Sequence, residues 1–328
     1  MKHILITGGS GFIGHRLLGL LATMNHSLRA TYLNNKPVKD LSLSKHIDWR
    51  QFNLIDETSY DGLLKDIDIV IHLAGMAHIT TKSADSSDKF RKVNTEATTK
   101  LVKEAAKNGV NQFIFISTIK VSGERTEKKS DNSFYAFTET DASNASDPYA
   151  DSKIEAETKL IEICQKTDMK YTIFRPPLIY GPGVKANFFN LIKLMDLKLP
   201  LPLANIDNLR SILYVDNFCD AIIRSIDHDN VMNERFFIKD KDISTPELMR
   251  TIAEALDKPN RLFPMPLAIM KMVATLFGRR EQYNKLTDSL VVDDSNLRQK
   301  LKWSPPIEFT KAMQTTTTWY KKQSRKAG

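Results

Sequence analysis

The chain has 328 residues, 41% of them hydrophobic, and is long enough for two domains or for one large domain with a lobe. Its 47 basic and 39 acidic side chains give a formal net charge of +8, which suits an anionic ligand, but the basic residues do not cluster with aromatic ones as in nucleic-acid-binding proteins. Its two cysteines lie in no CxxC pair, and no apolar run reaches the ~20 residues of a membrane-spanning helix. These observations exclude a disulfide scaffold, a zinc module and a transmembrane protein, and we expect a cytoplasmic protein without bound metal.

Short apolar runs alternate with helical patterns through the first half of the chain. The predicted strands are 4–6, 28–33, 67–73, 113–116 and 171–174. The predicted helices are 13–24, 93–107 and 149–165. Strands separated by helices predict an α/β fold, in which a doubly wound parallel sheet of the Rossmann type is covered by helices on both faces.

A glycine-rich turn follows the first predicted strand. Gly8, Gly11 and Gly14 belong to the run Thr-Gly-Gly-Ser-Gly-Phe-Ile-Gly, which leads into the first helix. Glycine permits a tight turn and a close approach of the backbone to a pyrophosphate, and the helix N-terminus offers N–H donors and the positive end of its dipole. The pattern predicts a dinucleotide-binding site, with a purely structural turn as the alternative.

The residue that would distinguish NAD from NADP is missing from its usual place. In NAD sites an acidic residue about 20 positions after the glycines binds the adenosine ribose. Here the second strand leads into Leu33 and Asn34, with no acid beside them. Asn34 is a candidate for a hydrogen bond to a ribose hydroxyl, whereas Arg29 and Lys36 are candidates for a 2′-phosphate ligand or for solvated surface charges. Both cofactors stay open.

The character of the chain changes after Arg175, because prolines interrupt the following stretch at short intervals. We therefore expect an NAD(P)-binding domain over 1–175 and a smaller C-terminal α/β lobe for substrate over 176–328. Part of 211–239 is expected to return to the main sheet.

Further motifs follow the glycine turn. They are Asn53-Leu54, His72-Leu73-Ala74-Gly75, Asn94, Ser117-Thr118, Tyr149-Ala150-Asp151-Ser152-Lys153, the run from Arg175 to Gly183 and the run from Arg210 to Asp216. Together they cover nearly the whole chain. They resemble the NAD-dependent epimerase/dehydratase family of extended short-chain dehydrogenases/reductases, of the sugar-nucleotide 4-epimerase and 4-keto-reductase type.

The resemblance implies NAD or NADP as cofactor and a nucleotide sugar as substrate. The residues that we assign to the cofactor are Gly8, Gly11, Phe12, Ile13, Gly14, Asn34, Asn53, Leu54, Leu73, Ala74, Gly75, Asn94, Lys153 and Pro176.

Tyr149 and Lys153 are four residues apart on one helix and therefore share a face. A free tyrosine has a pKa of about 10, and a nearby ammonium lowers it by stabilising the phenolate. The pair is suited to exchange a proton with a sugar hydroxyl or ketone. By the resemblance, Thr118 orients the substrate oxygen, with the neighbouring Ser117 as the other candidate.

Two positions separate this chain from part of the family. Sugar-nucleotide 4,6-dehydratases that resemble it carry Asp-Glu directly after the threonine, as the acid and base of water elimination, whereas this chain has Ile119-Lys120. We therefore predict that the chain is not a 4,6-dehydratase.

The lobe is expected to bind the remainder of the substrate. By the resemblance, Asn187 and Arg210 would contact the substrate diphosphate, for which a guanidinium offers a bidentate fork. Arg279 is a candidate for a second diphosphate ligand or for a surface charge. Asp216 is expected to cap the next helix instead of touching substrate.

From the sequence we favour the reduction of a UDP-4-keto-(N-acetyl)hexose in surface-polysaccharide synthesis. Ile119-Lys120-Val121 and Pro200-Leu201-Pro202-Leu203 resemble such reductases, and the missing ribose-binding acid fits a cofactor that exchanges. A UDP-hexose or UDP-N-acetylhexosamine 4-epimerase is the alternative. An NADPH-dependent reductase of a small carbonyl compound and a non-catalytic dinucleotide sensor are further alternatives.

Two expectations concern partners. Relatives of this type form homodimers, which we expect here. The apolar segment 263–280 is expected to pack in the core or against a partner, with an interfacial helix at a membrane surface as the alternative.

Overall fold

Strands and helices alternate along the chain in the computed structural model, which describes residues 1–34, 47–57, 59–77 and 84–327. The strands are β1 His3–Thr7, β2 Ser27–Tyr32, β3 Ile47–Gln51, β4 Ile69–His72, β5 Gln112–Ile116, β6 Lys170–Arg175, β7 Leu178–Tyr180, β8 Arg210–Tyr214, β9 Glu234–Phe237 and β10 Lys241–Ile243. The helices are α1 Phe12–Leu21, α2 Asp61–Leu64, α3 Ala84–Phe90, α4 Ala97–Lys107, α5 Pro148–Cys164, α6 Ala186–Asp196, α7 Val215–Arg224, α8 Thr245–Ala255, α9 Leu267–Leu276, α10 Arg280–Thr287, α11 Ser295–Leu301 and α12 Phe309–Ala327.

Seven of these strands form one sheet in the order β3-β2-β1-β4-β5-β6-β9, and neighbouring strands pair in parallel throughout it. The first six follow the Rossmann order, which confirms the predicted fold class. The strand order reverses between β1 and β4, where Thr7 pairs with His72 at the carboxyl ends of the two strands. In open α/β sheets ligands bind in the crevice at this reversal.

Helices cover both faces of the sheet, and the strand residues alternate between them. Ile4 and Ile6 belong to the apolar cluster under α1 and α7, whereas Leu5 belongs to the cluster under α4 and α5. Cys219 lies in the first cluster and Cys164 in the second. Both thiols are free and buried, as expected for small apolar residues.

A smaller sheet in the order β10-β8-β7 builds the lobe, with β8 antiparallel to β10 and parallel to β7. The chain then returns to the main sheet, because β9 pairs with β6 and places Phe236 opposite Phe174. The division into 1–175 and 176–328 stays a prediction.

The predicted helix 93–107 begins earlier than expected. The helical stretch starts at Ala84, passes through a π-helical turn at Arg91–Glu96 and ends at Lys107. Its first turns were missed because 84–90 has only one large apolar residue, Phe90. The π-helical turn presents the buried Asn94 to the crevice, and such turns are frequent at functional sites.

The apolar segment 263–280 is not part of the core. None of the residues of α9 is buried, and only Met270 and Ala274 are half-buried. The expectation of core packing is therefore wrong for most of this helix, because among the described residues only its Met270 packs against the core. Packing against a partner stays a prediction. Within the described ranges, no helix combines the length and the apolar character that crossing a membrane requires.

Candidate active site

The glycine turn between β1 and α1 leaves no room for a side chain at Gly8 or at Gly14. Gly8 has a φ of +70°, and a Cβ atom there would lie 2.8 Å from the backbone nitrogen of Ala74. A Cβ atom at Gly14 would lie 2.4 Å from the carbonyl oxygen of Gly8. The Gly8 N–H donates to the Thr31 hydroxyl at 3.1 Å, which fixes the turn to β2. The turn is therefore held in one shape by its neighbours.

The N-terminus of α1 fits a dinucleotide phosphate. Gly11 precedes the helix and offers no side-chain acceptor to its first N–H groups. Phosphate oxygens supply the acceptors that such groups lack. Phe12 and Ile13 are half-buried, and a Cβ atom at Gly183 would lie 3.4 Å from the Phe12 ring, so the loop after β7 closes one side of the turn.

Arg29 is held by groups of the protein. Its guanidinium donates to Asp48 at 2.8 Å and to the carbonyl oxygens of Leu63 and Lys65 at 2.8 and 3.0 Å. These bonds favour its role as a structural surface charge over that of a 2′-phosphate ligand. Lys36, the other candidate, lies outside the described residues.

The loops after β2 and β3 place three predicted cofactor residues, Asn34, Asn53 and Leu54, at the end of the sheet. Asn34 is exposed. The Asn53 side chain accepts from the Ile55 N–H at 3.1 Å and donates to Asp56 at 2.5 Å, which shapes the loop. The carbonyl of Leu54 accepts from a buried tyrosine hydroxyl at 2.7 Å.

Asn94 joins the loop after β4 to α5. Its side chain bonds to the N–H and the carbonyl of Met76 at 2.8 and 2.9 Å and donates to the Ser152 hydroxyl at 3.0 Å. A Cβ atom at Gly75 would lie 3.1 Å from the Asn94 oxygen and 3.7 Å from Lys153 Nζ. The structure therefore brings the motifs around Gly75, Asn94 and Lys153 to one place.

His72 holds this edge of the sheet together. Its ring nitrogens bond to the hydroxyls of Thr7 at 2.6 Å and Thr98 at 2.9 Å, and the Thr7 hydroxyl also accepts from the Ala74 N–H at 3.3 Å. Burial, with the charge of Lys153, lowers the pKa of His72 to about 3. The ring is therefore neutral at physiological pH, and its role is structural.

Lys153 is buried beside the end of β5. Its ammonium donates to the carbonyl oxygen of Ile116 at 2.7 Å and lies 4.3 Å from the centre of the Phe115 ring. Burial lowers the pKa of Lys153 to about 8, and the charge of Glu157 opposes this change. Glu157 in turn accepts two hydrogen bonds from the buried Arg175, at 3.0 and 2.6 Å, so Arg175 is a structural residue.

Tyr149 is half-buried at the start of α5, and its ring lies 5.8 Å from that of Phe90. Burial raises the pKa of Tyr149, whereas the hydrogen bond with Thr118 and the charge of Lys120 lower it. Lys153 is not among the groups that shift this pKa. Lys120 is thus a cation that favours the phenolate, and the role of Lys153 beside Tyr149 stays a prediction.

Lys120 is the residue that sequence reasoning missed, since it served there only to argue against a dehydratase. Its ammonium contacts Asp147 at 2.6 Å and Glu124 at 2.8 Å. Burial lowers the pKa of Lys120, but these two partners outweigh it and raise the pKa. Asp147 also caps α5 by accepting from the Ala150 N–H at 2.7 Å. The sequence feature that could have identified Lys120 as a site residue is its position two residues after Thr118.

Replacing Lys120 with methionine is expected to shift the pH dependence of turnover. Because the positive charge lowers the pKa of Tyr149, its removal raises that pKa. The limb of kcat/KM that rises with phenolate formation then moves to higher pH, and turnover at pH 7 falls several-fold. The measurement is a pH profile of both proteins. Lys120→Arg should keep the original profile, as should Lys159→Met, which removes an exposed cation from α5. An unchanged profile for Lys120→Met would show that Lys120 acts only on structure.

The hydroxyls of Ser117 and Thr118 have different surroundings. The Thr118 side chain lowers the pKa of Tyr149, and its hydroxyl accepts from the Lys120 N–H at 3.3 Å. The Ser117 hydroxyl is buried and has no hydrogen-bond partner among the described residues. The next residue, Ile119, is buried in an apolar cluster, and its N–H donates to the carbonyl of Pro176 at 3.0 Å. Of the two candidates, Thr118 is the one that accompanies Tyr149.

The three predicted substrate residues lie in different parts of the lobe. Arg210 begins β8, and its guanidinium donates to the carbonyl of Lys285. Burial lowers the pKa of Arg210, and the charges of Asp288 and Glu124 oppose this. Glu124 thus acts electrostatically on Arg210 and also forms an ion pair with Lys120, whose charge lowers the pKa of Tyr149. Asn187 is exposed in the first turn of α6, and Arg279 is exposed before α10. No described contact joins either of them to Arg210.

Asp216 does not cap α7. Tyr214 occupies the cap position and makes no side-chain cap bond. Asp216 lies in the first turn and accepts two hydrogen bonds from Arg16 of α1, at 2.7 and 2.5 Å. The pair ties the helix after the glycine turn to the lobe.

Known proteins share this arrangement. A curated relative, a UDP-glucose 4-epimerase from Vibrio cholerae, is 36% identical over 318 residues, which are 96% of this chain and 94% of that protein. A UDP-glucuronic acid 4-epimerase from Bacillus cereus in complex with NAD has a TM-score of 0.78 at 20% identity, with 98% of this chain and 99% of that chain covered. A UDP-N-acetylglucosamine 4-epimerase from Methanobrevibacter ruminantium M1 in complex with UDP-N-acetylmuramic acid has a TM-score of 0.79 at 21% identity, with the same coverage. The likeness to these two structures supports the fold alone.

The family model of the NAD dependent epimerase/dehydratase family matches residues 4–238, which include the glycine turn, Tyr149 and Lys153. The protein is thus an enzyme, and its sheet order is the Rossmann order that the sequence predicts. The chain belongs to the NAD dependent epimerase/dehydratase family.

Proposed function

We propose that the protein is a 4-epimerase of a UDP-linked hexose or N-acetylhexosamine, with NAD as its resident cofactor. The observation that carries the proposal is the composition of the Tyr149 site. One tyrosine, whose pKa is lowered by Thr118, lies four residues before Lys153 on α5, while Ile119 is buried in an apolar cluster and Lys120 is bound by two carboxylates. Such a site suits proton exchange at one sugar hydroxyl, and it lacks the acid and base that eliminate water in the 4,6-dehydratases.

The chain's own residues would divide the work as follows. Tyr149 would take the proton of the C4 hydroxyl and return it after the keto sugar has turned its other face, and Thr118 would orient the oxygen. Lys120 would stabilise the phenolate during this exchange. When bound, NAD supplies a reversible two-electron acceptor for C4. Gly8, Gly11 and Gly14 would hold its pyrophosphate.

The relatives support this proposal over the reductase that the sequence favoured. The Vibrio cholerae relative, which is similar over nearly the whole of both chains, is described as a UDP-glucose 4-epimerase. The two solved structures described above are also 4-epimerases of UDP sugars. We infer a UDP sugar as substrate and Arg210 as a ligand of its diphosphate. We propose Asn187 and Arg279 as further ligands of that diphosphate.

A 4-keto-reductase is the second candidate, and one observation favours it. No acid follows β2 to bind the adenosine ribose, and the exposed Asn34 stands there. A weaker hold on the ribose suits a cofactor that leaves after each turnover.

The nucleotide released on denaturation distinguishes these two candidates. We expect about one NAD per chain, identified by mass and ultraviolet absorbance, because an epimerase regenerates its cofactor in each cycle. The native protein should then interconvert a UDP-hexose or a UDP-N-acetylhexosamine without added cofactor. A protein that is purified without nucleotide and consumes NADPH with a 4-keto sugar nucleotide would instead be the reductase.

Assembly and location complete the proposal. We infer a homodimer in the cytoplasm, with residues 1–175 binding the cofactor and 176–328 forming the substrate lobe. Light scattering of the purified protein measures the assembly directly.

A further inference from the structure

Apolar side chains cover the outer face of α9. Of the 14 large hydrophobic residues that are exposed in the described part of the chain, seven lie between Phe263 and Phe277. Met272, Leu276 and Phe277 are 65%, 81% and 71% exposed, which are large exposed fractions for apolar side chains on a monomer's surface. Scattered exposed hydrophobic residues are ordinary, but a contiguous group marks a surface that is covered by something else. We call Leu267, Ile269, Met272, Val273, Leu276 and Phe277 the α9 patch.

The spacing of these residues shows that α9 rests on the protein along a narrow stripe. Met270 and Ala274, one turn apart, are its half-buried residues, and Met270 packs against the main core. Ile269, Met272 and Leu276 follow at intervals of three and four residues on the opposite side. Tyr283 of α10 anchors the helix by donating to the carbonyl of Leu267 at 3.4 Å. The hairpin α9–α10 therefore presents an apolar ridge to its surroundings.

Basic residues border the patch. Between 261 and 283 the sequence contains Arg261, Lys271, Arg279 and Arg280 against the single acid Glu281. The four basic residues are exposed. Helices that lie in a membrane interface have this composition, because apolar side chains enter the acyl boundary while basic ones meet anionic headgroups.

The same charges argue against a second copy of the chain as the occupant. A two-fold contact joins one patch to its own equivalent, so it would bring together two segments 261–283 that each carry four basic residues and the single acid Glu281. Like charges at such a contact are unfavourable. We propose that the α9–α10 hairpin docks the enzyme peripherally onto an anionic lipid bilayer. The hairpin also carries the Lys285 carbonyl that holds Arg210, so docking brings the lobe close to the bilayer surface.

Flotation with lipid vesicles tests the proposal on the full-length enzyme. We expect the protein to float with vesicles of phosphatidylethanolamine and phosphatidylglycerol, and to stay at the bottom of the gradient with phosphatidylcholine vesicles. Raising the salt concentration should weaken the binding, because the basic rim contributes to it. Met272→Glu combined with Leu276→Glu should lower the partition coefficient by more than about tenfold, since both side chains would enter the acyl boundary. Lys271→Gln combined with Arg280→Gln should weaken binding to anionic vesicles.

The control is a matched pair of substitutions away from the hairpin. Tyr135 and Leu197 are 57% and 56% exposed, and Tyr135→Glu with Leu197→Glu should leave flotation unchanged. All variants should keep the melting temperature and the bound nucleotide of the native enzyme, so a failure of this proposal is distinct from a failure of the proposed function. Three results would overturn the proposal: absence of flotation, flotation that the α9 substitutions do not alter, or a loss of dimers in Met272→Glu/Leu276→Glu, which would make the patch a subunit interface.

Discussion

Tyr149→Phe is expected to lower turnover by about 10²–10⁴-fold while leaving the bound nucleotide and the fold in place. The substitution removes the hydroxyl that exchanges the proton and keeps the ring, which packs against Phe90 with centroids 5.8 Å apart. Since no hydrogen bond joins the Tyr149 hydroxyl to the described residues of the glycine turn, the dinucleotide site should be unaffected.

The measurement is the rate of sugar-nucleotide interconversion by nuclear magnetic resonance, together with the nucleotide content and the melting temperature of the same sample. Tyr135→Phe is the matched control, because Tyr135 is an exposed tyrosine on another loop and should keep full activity. Retained turnover in Tyr149→Phe would remove Tyr149 from the mechanism. Loss of the nucleotide would show that the Tyr149 hydroxyl belongs to the cofactor site instead.

Gly14→Ala is the second substitution with a large expected effect, and its sign is unusual for a helix. Alanine normally stabilises a helical position relative to glycine, by about 1 kcal/mol. At Gly14, however, the added Cβ would lie 2.4 Å from the Gly8 oxygen and 2.8 Å from the Gly9 Cα, both of them backbone atoms. The turn must shift, at a cost of about 1–3 kcal/mol of stability. Displaced N–H groups should lower the affinity for NAD by about tenfold or more.

Gly62→Ala supplies the matched control, because Gly62 is a helical glycine of α2 with no heavy atom within 4 Å of its added Cβ. It should be neutral or stabilising, with unchanged NAD binding. The measurements are calorimetric titration with NAD and thermal unfolding of each variant. If Gly14→Ala bound NAD as tightly as the native protein, the glycine turn would be structural and the cofactor site would lie elsewhere.

The elements that were predicted correctly are those whose signal lies in adjacent residues of the sequence. The apolar runs 4–6, 113–116 and 171–174 became β1, β5 and β6, since a strand buried on both faces needs a continuous apolar run. The start of the helical stretch at Ala84 was missed for the corresponding reason. Residues 84–89 include no large apolar side chain, so no helical spacing of apolar residues predicted these turns.

In the candidate site, spacing and tertiary contacts contributed different parts. The spacing of four correctly placed Tyr149 and Lys153 on one helix, but it gave no indication of Lys120. The Lys153 ammonium donates to the carbonyl of Ile116, which is 37 residues away in the sequence. The Lys120 ammonium donates to Asp147, which is 27 residues away. A local pattern carries no information about such distant partners.

By itself, the sequence determined the sheet, the glycine turn, the family and the absence of the dehydratase carboxylates, because each depends on residue types within a few positions of one another. The tertiary structure alone decided that Arg29 is held by Asp48 and two carbonyl groups. It also decided that Thr118, and not Ser117, accompanies Tyr149, and that α9 stands outside the core. These outcomes depend on which distant segments cover or pair with a side chain. Burial and pairing are properties of the packed chain, so they follow from the fold as a whole.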